Sequence, residues 1–347
     1  MNFYGNLMTT GMGILPHKNI DKALDLAFRM DVPFWPQLPR VHYHEDMYVQ
    51  FSENFPGMKI DLNEKRISLD KDKFYEEFPA FYERIDDPEL YAISPEFSQV
   101  FHSFLSRDLS KYPAIRGQVI GPISFGIRIT DQDNKSIIYD PEIRDTLFEF
   151  ISRKVNHQYR LLVEKNPKAF IFLDEPGLEF IFSSISGYTD VMAGNDMNTA
   201  LTAIDGQKGI HLCGNPDWDF LLNLNTDILS FSAFHKGDIF IKYVNGIRNF
   251  LNSGGIISWG VVPANFDELN NETAQKIIDN LEFLWDGLDR NGITREVLVP
   301  QGMLMPATCS LINPDGYATV EKAYDILIEV SDQLKSRYKS LTAKIKT

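Results

Sequence analysis

The most constraining feature of this chain is an alternation: short apolar or β-branched runs, each bounded by Gly, Pro, Asn or Asp, recur between longer segments of helical period. That pattern specifies βα units around a parallel sheet. The strand-like runs are Leu7 to Leu15, Val32 to Pro36, Gln118 to Phe125, Ala169 to Leu173, Gly209 to Leu212, Ile228 to Ala233, Gly255 to Val262 and Glu296 to Pro300. Eight such runs in 347 residues match a single (β/α)8 barrel, commonly about 250 residues and longer with insertions. The expectation is an α/β chain whose one domain spans residues 1–347. An open doubly wound sheet is the competing architecture, but no GxGxxG follows the first run.

The intervening helices carry their own end signals. Asp140-Pro141 supplies an N-cap and a first-turn proline for Thr146 to Glu164, and Asn291-Gly292 closes the amphipathic run Thr273 to Leu288. A last helix, Ala318 to Leu341, would cover the exterior. The alternation breaks at about residues 59–109, after the second strand, where KIDLNEKRISLD reads as a hairpin turning at Asn63-Glu64, followed by aromatic-rich helices.

Charge and cysteine content exclude several function classes. The net charge is −14, with no basic stripe to neutralise a phosphate backbone, so nucleic acid is not an expected partner. The first residues lack the basic start and apolar core of a signal peptide. No run of about 18 apolar residues occurs to span a bilayer, so the expectation is a cytoplasmic protein without a membrane partner. Two cysteines, Cys213 and Cys309, are too few for a disulfide framework.

The settings of those cysteines carry the chemistry. In His211-Leu212-Cys213 the candidate ligands stand at i and i+2, on one side of a strand end, where barrel enzymes place catalytic groups. Cys309 follows the last run by about a dozen residues, in a loop that barrel closure would bring alongside. One imidazole and two thiolates suit zinc with an exchangeable fourth position. A bare HxC with a distant Cys is more often a pair of small buried thiols and a core histidine, so the motif alone is weak. At another strand end, Leu173-Asp174-Glu175-Pro176 presents adjacent carboxylates that suit a substrate ammonium. Asp174 capping the next helix and Glu179 on a solvated face are the plainer readings. His17 suits either a site-lining role or a solvent-facing loop, and Phe34-Trp35-Pro36-Gln37 reads as packing. Glu45 reads as a substrate contact or as the charge at a helix N-terminus.

These residues resemble, over nearly the whole chain, the C-terminal catalytic barrel of cobalamin-independent methionine synthase. The wider superfamily also holds uroporphyrinogen decarboxylase and the corrinoid-dependent coenzyme M methyltransferases. Thr9-Thr10-Gly11-Met12-Gly13-Ile14-Leu15-Pro16 resembles the TTIGSFP opening, which implies homocysteine contacts from the backbone of Met12, Gly13 and Ile14. Leu173-Asp174-Glu175-Pro176 resembles the IDEPAL segment, which implies that Asp174 holds the substrate amino group. His211-Leu212-Cys213 matches the HxC zinc pair, and Cys309 stands where the family has its third zinc-binding residue.

The sequence departs from the family in three places. Ser232 stands where the family has a zinc-binding Glu, which leaves the fourth ligand open, with His235, three residues on, as one candidate. Asn265 stands near the family's proton-donating histidine, and Asn is no general acid at neutral pH. The chain starts at the catalytic barrel's first strand, as in the short core methionine synthases, which the family implies take methyl from a corrinoid.

The resemblance thus implies a zinc-dependent methyltransferase of methionine biosynthesis. It would activate a thiol, homocysteine foremost, as a zinc thiolate and accept methyl from methylcobalamin or a corrinoid protein rather than from methyltetrahydrofolate. Its alternatives are a coenzyme M-type or other thiol methyltransferase, a non-catalytic corrinoid- or metal-binding accessory protein, and, less in keeping with the HxC motif, a porphyrinogen decarboxylase-like enzyme.

Overall fold

In the computed structural model, residues 4–181 and 187–342 are described. Seven strands form one parallel sheet: β1 (Met8–Thr9), β4 (Ile115–Ile120), β5 (Ala169–Asp174), β6 (Gln207–Leu212), β7 (Ile228–Phe231), β8 (Ile256–Val262) and β9 (Gly302–Pro306). They lie in the order β1-β9-β8-β7-β6-β5-β4. The remaining two, β2 (Met58–Asp61) and β3 (Arg66–Leu69), form the expected antiparallel hairpin in the insertion. Its turn is pinned by Asp61 Oδ1, which accepts from the Asn63 and Glu64 amides.

The sheet curls, and the gap between β1 and β4 is filled by Val32 to Pro36, expected as the second strand. The segment makes isolated contacts only. The Val32 amide donates to the Thr9 carbonyl, and the Arg116 amide donates to the Pro33 carbonyl. Phe34 pairs with Arg116 as a single bridge. Pro33 and Pro36 have no N–H to offer, which is why no continuous ladder forms there and the hydrogen-bonded sheet is seven-stranded and open.

Other boundaries shift for local reasons. The third expected run ends at Ile120, because Gly121-Pro122 starts the helix Pro122–Arg128 with proline in its first turn. The last strand is Gly302–Pro306, whereas Arg295–Leu298, inside the expected Glu296 to Pro300 run, is a short helix. Short apolar runs of this kind do not distinguish strand from buried helix by period. Helix Pro141–Lys165 follows its cap, Asp140, as read, and Ala274–Asp289, which Thr273 caps, ends just before Asn291-Gly292. The closing helix stops at Arg337. No described helix is long and apolar enough to cross a membrane.

Strand alternation sorts the core into two clusters. Ile171, Leu173, Ile210, Leu212, Leu229, Phe231, Ile257, Trp259 and Leu304 face the helices and join the large cluster. The other face points inward, with Val32, Phe170, Phe172, Ile228, Ile256 and Met303 as an apolar floor. Two residues further along the strands the interior turns polar. Gln118, His211, Ser230 and Ser258 are all buried there, and the C-terminal strand ends lie beyond them.

Candidate metal centre

The site is built on neighbouring parallel strands in register, with Asp174 opposite His211 and His211 opposite Ser230. His211 projects inward, where its Nδ1 lies 2.9 Å from Ser230 Oγ and its Nε2 lies 3.1 Å from Cys213 Sγ. Ser230 and Ser258 both direct their hydroxyl protons at Met305 Sδ. Ser230 therefore accepts from Nδ1–H, which leaves the Nε2 lone pair facing the Cys213 thiol. Burial, reinforced by the nearby Arg116 charge, pushes the His211 pKa down to about 3, so the imidazole is neutral. A neutral imidazole with its far nitrogen anchored is the state in which histidine binds metals.

The Cys213 thiol is pushed well above its ordinary range, first by burial and then by Cys309 and Asp174, while the Cys309 backbone amide opposes the rise. The loop after β9 is thus brought to Cys213, although Cys309 itself is solvent-exposed. Among the described residues, no three His, Cys, Asp or Glu side chains are gathered as a metal-binding group. The His211–Cys213 pair does fit zinc. Ligands at roughly 2.0 Å (N) and 2.3 Å (S) in a tetrahedron stand about 3.5 Å apart, a small opening of the present pair.

Asp174, at the end of β5, is partly open to solvent yet deep in the protein mass, and burial raises its pKa to about 7 against the pull of Arg116. Glu175 faces the other way. It accepts from the Ile123 amide (3.1 Å), the Ser124 amide (2.8 Å) and Ser124 Oγ (2.5 Å) at the start of helix Pro122–Arg128. Glu175 thus serves an earlier helix, and the turn Pro176–Glu179 that follows has no side-chain cap, so the capping role expected for Asp174 is not seen. Glu179 is exposed, as read, but also accepts from the Asn215 amide and so braces the loop after Cys213.

The other residues singled out from the sequence are placed as follows. The Met12 amide donates to the Tyr324 hydroxyl at 2.9 Å. Gly13 packs so closely on Gln118 that a Cβ would lie 2.5 Å from its amide group. Ile14 is half-buried. Glu45 is buried and accepts from Gln50, Ser98 and the Val100 amide, so it serves the N-terminus of helix Gln99–Leu105. Asn265 caps Phe266–Leu269 through the Asp267 amide. His17 is buried, stacked on Tyr317 and near Glu321, not solvent-facing. His235 has both ring nitrogens engaged, by Ser232 and Glu268.

Sequence reasoning missed Arg116. This buried guanidinium donates to Thr10 Oγ1, Gln118 Oε1 and the Gly11 carbonyl, with its carbon 5.1 Å from the centre of the Phe34 ring and 4.7 Å from that of Phe172. It brings a positive charge beneath Asp174. The signal was an arginine beside Ile115, just ahead of the expected run Gln118 to Phe125, whose strand in fact starts at Ile115.

No family profile matches the chain, and no curated protein matches it in sequence. Among solved structures it is similar to a methyltransferase from Methanosarcina mazei at 12% identity, covering 92% of this chain and 87% of that one with a TM-score of 0.55. The likeness is one of fold.

Proposed function

We propose that the chain is a methyltransferase that passes a methyl group to a substrate thiol at the mouth of a one-domain (β/α)8 barrel, whose second stave is the proline-interrupted segment 32–36. The observation that carries this reading is the anchored His211–Cys213 pair at the end of β6. The methyltransferase named above as sharing the fold and the resemblance to the methionine synthase barrel support it.

His211, Cys213 and Cys309 would hold zinc, which when bound lowers a thiol pKa so that the thiolate persists at neutral pH. Homocysteine is the favoured acceptor, because Asp174 suits an ammonium better than a sulfonate. Pairing with that ammonium would hold Asp174 ionised against its burial. The thiolate sulfur attacks the methyl carbon of a methylcorrinoid second substrate, and the S–C bond forms as the cobalt–carbon bond breaks with its electron pair left on the corrinoid. No proton is needed, in keeping with an Asn265 committed to capping a helix. Porphyrinogen decarboxylation would call for several arginines around substrate carboxylates. Arg116 instead spends donors on Thr10, Gln118 and Gly11.

The test is zinc-loaded protein with homocysteine and, separately, methylcobalamin or methyltetrahydrofolate, followed by mass spectrometry of methionine. Methionine from methylcobalamin alone supports the reading. Methionine from the folate would overturn the choice of donor, and none from either would overturn the choice of substrates.

A further inference from the structure

Three side chains beside the site form a hydrogen-bonded line that methyl transfer as described leaves unused. Ser232 Oγ is 2.7 Å from His235 Nδ1, and His235 Nε2 is 2.9 Å from Glu268 Oε1. Exposure rises along the line: Ser232 is 1% exposed, while the His235 and Glu268 side chains are 31% and 38% exposed.

The inner end lies at the site. The β6–β7 ladder pairs His211 with Ser230 and ends on Leu212 with Phe231, and that register carried one position further puts Ser232 opposite Cys213. Alternation places Ser232 on the inward face shared by Ser230, which touches His211. Ser232 is also the N-cap of helix Ala233–Phe240, yet makes no capping bond. A capping serine is worth about 1 kcal/mol to a helix, and here its hydroxyl is turned to His235 instead. Glu268 reaches the same ring from the short helix Phe266–Leu269 that follows β8.

The direction of the hydrogen bonds follows from the outer end. An ionised carboxylate only accepts, so His235 donates from Nε2 and receives the Ser232 proton at Nδ1. The Ser232 lone pairs are then free to face the site.

We propose that Ser232, His235 and Glu268 are a proton exit path that carries the proton of an incoming substrate thiol from beside Cys213 to solvent. The inference rests on the thiol-activating reading above. The substrate S–H bond breaks and its proton passes to Ser232 Oγ as the Ser232 proton moves to His235 Nδ1. His235 gives its Nε2 proton to Glu268, which releases it to water. The balance is one thiolate in the site and one proton in bulk solvent.

The experiment mixes zinc-loaded protein with homocysteine in weak buffer containing a pH-indicator dye, without methyl donor, and follows proton release by stopped flow. Wild type should release about one proton per site. Ser232→Ala and His235→Gln should slow release at least tenfold, Ser232→Thr should restore it, and added imidazole should rescue His235→Gln. Circular dichroism and zinc content confirm that each variant is folded and loaded. Wild-type release rates in Ser232→Ala and His235→Gln would overturn the path while leaving thiol activation standing, as would a slowed His235→Gln that imidazole fails to rescue. No proton release from wild type would overturn the thiol-activating reading and the path with it.

Discussion

Asp174 and Glu175 are consecutive carboxylates with opposite fates. One points into the interior beside His211, and the other is fully buried under helix Pro122–Arg128, where Ile123 and Ser124 donate to it. Strand alternation separates a residue available to substrate from a fixture of the scaffold.

Glu175→Ala should therefore be a stability mutation. It strands the Ile123 and Ser124 donors and opens a cavity, and a loss of about 2–4 kcal/mol is expected by urea unfolding. A variant within about 0.5 kcal/mol of wild type would show that the helix start needs no such acceptor.

Asp174→Asn should act on binding and on pH dependence. Loss of a charged hydrogen bond, roughly 1.5–3 kcal/mol, should raise the homocysteine KM at least tenfold. The folded-state pKa of Asp174 is raised to about 7, so the native protein binds the proton more tightly than the unfolded chain does. This stabilisation is fully present below about pH 4 and is lost as pH rises to about 7. The metal-free variant should gain on wild type through that window and level off above it. Partial solvent access to Asp174 limits the gain to about 1–2 kcal/mol. Melting curves at several pH values check it, and a pH-independent difference would refute it.

The two cysteines should not be equivalent. Cys213→Ser should abolish zinc retention after dialysis, whereas Cys309→Ser, which alters an exposed residue, should weaken it less, as read by atomic emission. Equal losses would mean that Cys309 swings fully onto the metal.

Ser230→Ala frees His211 Nδ1 from its anchor. Outer partners of metal-binding histidines are worth about 10–100-fold in affinity, and a loss in that range is expected with little change in melting temperature. Competition with a chelating dye measures it.

Much of this was legible in the sequence. The alternation gave the parallel sheet, and Asp140-Pro141 and Asn291-Gly292 marked their helix ends, because caps, prolines and glycines act locally. Strand parity placed His211 and Cys213 together for the same reason. The break at Val32 to Pro36 was also written in two prolines, but an apolar aromatic run outweighed them in the reading. Arg116 and Ser230 were missed, since a buried polar group is explained only by partners distant in sequence, here Gly11, Thr10 and Met305. The roles of Glu45 and Glu175 depended likewise on helix starts about 50 residues away.

The segment with Pro33 and Pro36 runs along the slit between the edge strands β1 and β4 of the curled sheet. Elsewhere around the wall, widening the interior would break several rungs at once. Along the slit the backbone contributes isolated bonds at Val32, Arg116 and Gln37, and the buried side chains of Arg116 and Gln118 donate across it to the Gly11 and Trp35 carbonyls. Those edges belong to β1, which leads into Met12 and Gly13, and to β4, which leads into the helix held by Glu175. The interior is thus sealed at that place by side chains rather than by a backbone ladder, and an arginine does there what a strand does elsewhere around the wall.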